Sequence, residues 1–338
     1  MSIQKSGKLG QSSKGGITAD NEKVDDPLTQ ADLASHRIMM GAFQTLIPGI
    51  SVVSEEKDAS KSSLEESKVI KAVDDVLRSS RRTMGIGEMK RVISSKALLS
   101  AQNVVVWLDP LDATKEYTED LTNYVTVMIG IALKGKPIGG VVHYPFSGRT
   151  LWGWTSGHQG VRNDTSEALW NGDEELLSKG AQKPPETAQK DSDKPVNDKL
   201  RVIVSRSHAG SIRDHLQPLT NTYADLETTP AGGAGYKIGE VLADRQDAYM
   251  HTSGIKKWDL CPGDALLRAQ RNKDRSMRKA FKTYSLHSIG GIRTWKNDEI
   301  SYGLEDEIKV GGIYGARSRS VDGTLIETLP EIELNPSN

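Results

Sequence analysis

Hydrophobic positions change their spacing several times along the chain, and each spacing predicts a different element. In DPLTQADLASHRIMMGAFQTLIP (26–48), apolar side chains recur at helical intervals until Pro48 ends the pattern, so a helix is predicted there. GISVVSEE (49–56) follows as a short apolar strand that runs into two acids. The charged segment 57–100 is predicted to be mostly helical, because SKVIKAVDDVLRSS (67–80) repeats the helical spacing.

The central part of the chain has the pattern of strands. VVVWLDPLD (104–112) is an apolar run that ends in two aspartates. YVTVMIGIAL (124–133), KPIGGVVHYP (136–145) and RTLWGWT (149–155) follow at short intervals, with glycine- and proline-containing turns between them. We therefore predict successive strands joined by tight turns.

Composition divides the chain into segments. Residues 1–24 are rich in Gly, Ser and Lys and are predicted to be a disordered leader, followed by a first α/β domain over 25–163. The polar, Pro- and Lys-rich stretch 164–198 is predicted to be a linker or surface insertion. In residues 199–330 predicted strands and helices alternate, which favours an α/β layered domain. The basic stretch 271–288 inside that domain is predicted to be a surface loop.

The bulk composition narrows the function classes. The 338 residues suit one large or two medium domains, and the 44 basic and 45 acidic side chains leave a net charge of -1. A nucleic-acid binder would be strongly basic, so nucleic acid is not an expected partner. The single cysteine, Cys261, excludes an intramolecular disulfide. Apolar runs fall short of the ~18 residues of a membrane span, so the sequence predicts a soluble protein.

Acidic residues at strand ends and helix starts indicate the chemistry. They form three groups: Glu55 with Glu56, Asp109 with Asp112, and Asp259. Unpaired buried carboxylates are costly, so clustered ones usually hold a metal ion or share a proton. Hard oxygen ligands in this number suit Mg²⁺, and magnesium sites of this kind support phosphate-ester hydrolysis.

The segment after Asp109 can be interpreted in two ways. The Leu111 carbonyl can face the same ion as the two aspartates, and Thr114 begins a predicted helix, TKEYTEDL (114–121). A helix start offers free amide groups and a positive dipole end, which suit a phosphate. Equally, Asp-Pro can be a simple turn in which Asp112 only caps the helix.

Three motifs, in this order, resemble the inositol monophosphatase superfamily. They are an acidic motif, VVSEE (52–56), a signature after a strand, WLDPLDATKEYTE (107–119), and a Trp-Asp motif, KKWDLCPGDALL (256–267). Two further stretches, VSRSH (204–208) and PAGGAGYK (230–237), are similar to the branch that cleaves 3′-phosphoadenosine 5′-phosphate. The resemblance implies a layered αβαβα sandwich of the inositol monophosphatase and fructose-1,6-bisphosphatase type.

The resemblance also implies roles for individual residues. Two to three Mg²⁺ ions are expected, and their ligands would be Glu55, Asp109, the Leu111 carbonyl, Asp112 and Asp259. The catalytic residues would be Asp32, Thr114 and Glu55, with Thr114 and Asp32 orienting and helping to deprotonate the attacking water. The substrate contacts would be Ser205, His208, Gly233 and Lys237. Glu56 is expected to orient the metal ligands without binding the ion itself. No phosphoenzyme is expected.

The leading hypothesis is a Mg²⁺-dependent, lithium-sensitive phosphatase that removes the 3′-phosphate of 3′-phosphoadenosine 5′-phosphate. Inositol monophosphatase activity on the same metal core is the alternative enzyme, and an inactive relative that binds nucleotide is the alternative outside the enzymes. A haloacid-dehalogenase-type phosphatase does not fit, because two residues rather than one separate Asp109 from Asp112. The sequence also lacks a P-loop stretch.

The resemblance leaves assembly and compartment open. A homodimer is the family expectation. Golgi-type members of the branch carry an N-terminal membrane anchor, and this sequence shows none. The expectation is therefore a cytoplasmic protein, or a protein of the Golgi lumen if an anchor has been lost.

Overall fold

The fold is known from a computed structural model. It describes residues 12–13, 16–17, 23–24, 27–57, 62, 64–83, 103–155, 158–163, 166–169, 199–206, 212–272, 291–316, 318–329 and 331. Within these ranges lie a seven-stranded sheet, a five-stranded sheet, two small two-stranded ladders and helices on and between the sheets.

Four very short strands lie near the N-terminus. The first ladder joins β1 (Ser12–Ser13) to β4 (Pro27–Leu28), and the second joins β2 (Gly16–Ile17) to β3 (Lys23–Val24). Three of these strands fall within residues 1–24, for which the sequence predicted disorder. The rest of that leader lies outside the described residues.

The larger elements follow in chain order. The α-helices are α1 (Gln30–Leu46), α2 (Glu66–Thr83), α3 (Thr114–Thr118), α4 (Ile212–Leu216), α5 (Ala234–Leu242), α6 (Lys257–Asn272) and α7 (Arg319–Thr328). The strands of the first sheet are β5 (Ser51–Ser54), β6 (Val104–Asp112), β7 (Thr126–Leu133), β8 (Lys136–Tyr144), β9 (Arg149–Trp154), β10 (His158–Asn163) and β11 (Ser166–Leu169). The strands of the second sheet are β12 (Lys199–Ser205), β13 (Asp225–Ala231), β14 (Ala248–Lys256), β15 (Gly291–Thr294) and β16 (Lys309–Ala316).

The first sheet has the order β11-β10-β9-β8-β7-β6-β5. Its strands are antiparallel except for β5, which runs parallel to β6. Helices α1 and α2 pack against each other, and α1 packs on β6. Helix α1 begins with a capping box, in which Thr29 accepts from the backbone of the first turn and Asp32 accepts from the Thr29 backbone N–H.

Helices α5 and α6 form the middle layer between the two sheets. Helix α6 crosses β7 and β8 so closely that a Cβ at Gly140 would clash with the Pro262 carbonyl oxygen. A glycine is therefore required at that position. The large hydrophobic core of the molecule lies in this layer and includes Trp107, Ile238 and Leu266.

The second sheet has the order β13-β12-β14-β16-β15, with β13, β12 and β14 parallel. Its outer face buries Val202 and Val204 against Ile212 of α4 and Leu325 of α7. The layers therefore alternate as helix, sheet, helix, sheet, helix. This arrangement confirms the predicted αβαβα fold.

The first sheet ends in sequence at Leu169, and the second begins at Lys199. Strand β11 lies inside the stretch 164–198 that the sequence assigned to a linker, and most of that stretch is outside the described residues. The basic stretch 271–288 also lies outside them after the end of α6 at Asn272. No helix in the described ranges combines the length and apolar character that crossing a membrane requires.

Candidate metal centre and active site

The candidate site lies at the end of β6. All nine residues of this strand are buried, and its ladder with β7 is irregular between Asp109 and Asp112. In a regular strand, residues three apart point to opposite faces of the sheet. The irregularity changes the direction of the chain, so both carboxylates reach the same place.

Asp259 joins these two aspartates from the other half of the chain. It lies in the first turn of α6, and its Oδ2 accepts a hydrogen bond of 3.3 Å from the backbone N–H of Lys256. One carboxylate oxygen from each of Asp109, Asp112 and Asp259 lies within 4.8 Å of the other two. Carboxylates from two segments that are far apart in sequence therefore converge.

Glu55 reaches the same cluster from the neighbouring strand. It follows β5, and its backbone N–H donates to the Leu108 carbonyl at 3.0 Å, which continues the pairing with β6. Its charge raises the pKa of Asp109 by repulsion, and its Oε1 lies 3.6 Å from the Lys256 Nζ. The next residue, Glu56, is also buried. Its role in supporting the metal ligands stays a prediction.

Burial raises the pKa values of all three aspartates, and repulsion between carboxylates adds to the shift for Asp109 and Asp259. For Asp109, burial raises the pKa well above its usual range, and repulsion from Glu55 and Asp112 adds to the shift. Burial also raises the pKa of Asp112, although the charge of Lys237 opposes it. For Asp259, burial and then repulsion from Glu55 raise the pKa to about 7.

The residues present fit a divalent metal ion. Clustered carboxylates that repel one another when ionised are stabilised by a cation that all of them can contact. The cluster found in the described residues consists of aspartates alone, and hard oxygen donors favour Mg²⁺ over metals that prefer nitrogen or sulfur.

The hydrogen bonds of Asp112 decide between its two interpretations. Its Oδ2 accepts from the Gly235 backbone N–H at 2.8 Å and from the Thr126 hydroxyl at 3.0 Å. Helix α3 instead begins after Ala113, which has a left-handed φ of 69° and makes no side-chain cap. Asp112 is therefore not the helix cap, and its carboxylate faces the interior between the two halves of the chain.

Thr114 and Asp32 meet although 82 positions separate them. The Thr114 hydroxyl lies 2.9 Å from Asp32 Oδ1 and 3.1 Å from the Leu111 carbonyl oxygen. The other carboxylate oxygen of Asp32 accepts from the backbone N–H of Thr29 at 2.8 Å and from its hydroxyl at 2.5 Å. Asp32 is thus held by the start of α1, with Oδ1 directed at Thr114.

Gly233 occupies a tight turn against the acid cluster. Its φ is 62°, and a Cβ there would lie 2.6 Å from the Tyr124 carbonyl oxygen and 3.0 Å from Asp112 Oδ2. Only glycine tolerates this conformation and this approach. The turn starts α5, whose Gly235 N–H binds Asp112.

Lys237 lies beneath the site rather than at its surface. It is 4% exposed, and its Nζ is 3.4 Å from the Ala231 carbonyl oxygen and 5.3 Å from the centre of the Tyr249 ring. Burial lowers its pKa to about 8, against the opposing charge of Asp112. The positive charge of Lys237 therefore stabilises the buried carboxylates of the cluster, and its ammonium group is not exposed at the surface of the site.

The two remaining substrate candidates lie at the end of β12. Ser205 is the last residue of that strand and is partly buried. His208 lies outside the described residues.

Sequence reasoning missed two basic residues next to the site. Arg206 Nη1 donates to Glu116 at 3.0 Å and to Glu119 at 3.1 Å, which ties α3 to the end of β12. Lys256 ion-pairs with Glu55. Lys256 could have been found from the sequence, because it lies three positions before Asp259 in the same motif.

Other conspicuous residues are structural. Trp107 and Cys261 are 1% and 0% exposed and pack in the protein interior. Asp264 accepts from Arg268, from the Tyr302 hydroxyl and from the Ile292 backbone N–H. It joins α6 to β15 and lies in the protein interior.

The sequence comparisons show which family the chain belongs to. The model of the inositol monophosphatase family matches residues 4–271, which is most of the chain. The chain belongs to the inositol monophosphatase family. The superfamily resemblance of the sequence motifs is thereby confirmed.

Within this family, the chain is similar to two kinds of curated relative. It is 35% identical over 307 residues to the putative inositol monophosphatase 3 of Drosophila melanogaster, an alignment that covers 90% of this chain and 69% of that protein. It is 33% identical over 344 residues to the Golgi-resident adenosine 3′,5′-bisphosphate 3′-phosphatase of Homo sapiens, with coverage of 98% and 76%. Both relatives are named as phosphatases.

Solved structures share the inositol monophosphatase fold. The extragenic suppressor protein SuhB of Bartonella henselae superposes with a TM-score of 0.54 at 14% identity, covering 96% of this chain and 89% of that one. A staphylococcal inositol monophosphatase, IMPase-II, gives a TM-score of 0.50 at 14% identity, with coverage of 88% and 84%.

Proposed function

We propose that this protein is a magnesium-dependent phosphomonoesterase that hydrolyses the 3′-phosphate of 3′-phosphoadenosine 5′-phosphate. The convergence of the Asp109, Asp112 and Asp259 carboxylates within 4.8 Å carries the metal-dependent part of the proposal. The relatives named as adenosine 3′,5′-bisphosphate 3′-phosphatases support the choice of substrate.

The acid cluster would hold two to three Mg²⁺ ions. The proposed ligands are Glu55, Asp109, the Leu111 carbonyl, Asp112 and Asp259. When bound, magnesium would lower the pKa of a water molecule and stabilise negative charge on the phosphoryl oxygens.

Thr114 and Asp32 would orient the attacking water. The Thr114 hydroxyl has one proton, and with Asp32 Oδ1 at 2.9 Å it can donate that proton and keep a lone pair for a water molecule. Asp32 Oδ2 is already bound by Thr29, so Oδ1 can take up the proton released during attack. Water attacks phosphorus directly while the bond from phosphorus to the 3′ oxygen breaks, and that oxygen leaves as a hydroxyl after taking a proton from solvent. No phosphoenzyme forms.

The second half of the chain would bind the nucleotide. Ser205 at the end of β12 and the Gly233 turn are the proposed contacts among the described residues, together with His208. Lys237 is enclosed, so its charge would stabilise the substrate phosphate through space.

The proposal extends to assembly and location. Relatives named as Golgi-resident support a Golgi compartment, and the family resemblance supports a homodimer. Fractionation of cells that express the tagged protein tests the first point, and light scattering of the purified chain tests the second.

Phosphate release by the purified chain tests the proposed reaction. We expect Mg²⁺-dependent hydrolysis of 3′-phosphoadenosine 5′-phosphate with a kcat/KM above that for inositol 1-phosphate. An Asp259→Asn variant serves as the control and should be inactive toward both. A preference for inositol 1-phosphate would favour the second candidate, an inositol monophosphatase, which the name of the Drosophila relative supports. A folded protein that hydrolyses neither ester would favour an inactive nucleotide-binding relative.

A further inference from the structure

Lys256 brings a positive charge to the edge of the acid cluster. It is the last residue of β14, and its Nζ lies 3.6 Å from Glu55 Oε1. The ammonium also lies 5.2 Å from the centre of the Trp258 ring, and the Lys256 backbone N–H binds Asp259. One residue therefore contacts two proposed metal ligands, through its side chain and through its backbone.

We infer that Lys256 is an internal cation that competes with a metal ion for Glu55. The inference rests on the proposed function, because it takes Glu55 to be a metal ligand. In the metal-free protein, the ammonium neutralises part of the charge of the carboxylate cluster. An ion that binds Glu55 must displace it.

The exposure of Lys256 makes this exchange possible. Its side chain is 33% exposed, and a flexible four-carbon stem lets the ammonium move into solvent when a cation arrives. Lys237 differs, since it is 4% exposed and enclosed by the protein. The adjacent Lys257 differs too, because its Nζ is directed toward Asp306 at 4.0 Å.

The consequence concerns metal affinity. Like charges repel, so the ammonium lowers the affinity of an ion at Glu55 below the value that the carboxylates alone would give. For an ammonium that has been displaced to ~5 Å from the bound divalent ion in a water-like dielectric, the effect on affinity is about tenfold. Lys256 would thus make the metal ion at Glu55 the one that binds weakly and exchanges readily.

Calorimetric titration of the purified chain with MgCl₂ tests the inference. Lys256→Met should tighten the weaker phase of Mg²⁺ binding about tenfold, while Lys256→Arg should leave it unchanged because the charge remains. Lys136→Met is the matched control, since Lys136 pairs with Glu299 at 3.4 Å and neither residue belongs to the acid cluster. It should titrate like the wild type.

Urea unfolding of the metal-free proteins gives a readout that does not depend on activity. Lys256→Met should unfold at a lower urea concentration than Lys136→Met, because the carboxylates lose their counter-charge. Adding Glu55→Gln should remove most of that difference. If Lys256→Met does not fold, Lys256→Gln replaces it in both measurements.

Three results would overturn the inference. If the wild type binds Mg²⁺ and Lys256→Met binds it equally or more weakly, Lys256 is not a competitor, and the proposed function stands. If Lys256→Met raises only the KM for the phosphate ester, the residue contacts substrate instead. If the wild type binds no Mg²⁺, the proposed function and this inference fail together.

Discussion

Replacing Gly233 with alanine tests whether the turn against Asp112 must be glycine. Its φ of 62° and ψ of 132° lie where side chains are strongly disfavoured. The added methyl carbon would lie 2.6 Å from the Tyr124 carbonyl oxygen and 3.0 Å from Asp112 Oδ2. Backbone atoms cannot move aside as the end of a side chain can, so either the turn or Asp112 must shift.

The expected cost follows from these two causes. A residue held at a disfavoured positive φ costs ~1–3 kcal/mol, and an overpacked interior costs ~1–3 kcal/mol. We expect Gly233→Ala to lower the free energy of unfolding by about 2–5 kcal/mol, which is a large part of a typical ~5–15 kcal/mol. Because Asp112 is displaced, Mg²⁺ affinity should fall as well.

The assay is equilibrium urea unfolding with and without Mg²⁺. Gly323→Ala is the matched control, since Gly323 lies in α7 with nothing within 4 Å of an added Cβ. It should stabilise the protein by ~0.5–1 kcal/mol through helix propensity. A Gly233→Ala variant as stable as wild type, with unchanged Mg²⁺ affinity, would show that this turn does not require glycine.

Further predictions concern the residues around the acids. Ala113→Gly should stabilise the fold by about 1 kcal/mol, because Ala113 has a left-handed φ of 69°; thermal unfolding that shows no gain would contradict this. Asp259→Asn should lower kcat by roughly 100-fold or more with an unchanged circular-dichroism spectrum, and a wild-type rate would remove Asp259 from the site. Thr114→Val should lose most activity in the phosphate-release assay while Thr114→Ser keeps it, and equal rates would argue against the hydroxyl's role. Because the pKa of Asp259 is raised to about 7, the metal-free protein should lose stability as pH rises from 5 to 8. Mg²⁺ affinity should rise over the same pH range with release of protons, and calorimetry that finds no proton release in buffers of different ionisation heat would contradict this.

The sequence was sufficient for the elements that carry the acids. The apolar run 104–108 before Asp109 predicted β6, and the apolar run within 124–133, followed by a turn, predicted β7. The three motifs in order then indicated the family and the layered fold. The position of α6 between the two sheets was predicted by that resemblance, and the spacing of hydrophobic residues did not indicate it.

Some elements carried too weak a signal in the sequence. Strand β13 (Asp225–Ala231) was missed because it is an edge strand with a mostly polar sequence and an internal Pro230. Helix α3 ends at Thr118, shorter than the predicted 114–121, since Asp120 adopts a φ of 61°. A local pattern does not show where the chain leaves a helix by a left-handed residue.

The site depended on contacts that residue spacing cannot reveal. The hydrogen bond between Thr114 and Asp32 joins two elements 82 positions apart, and only the family resemblance predicted the pair. The burial of Lys237 was not foreseen either, because a lysine after a glycine turn is normally exposed. Its enclosure results from packing of α5 between the sheets.

Anomalous diffraction from a crystal soaked in Mn²⁺, used in place of Mg²⁺, shows whether the three aspartates bind metal ions together. We expect at least two peaks bounded by Asp109, Asp112 and Asp259, one of them also contacting Glu55, at the short distances of metal–oxygen coordination. A soaked crystal of the folded protein with no peak among these carboxylates would contradict it.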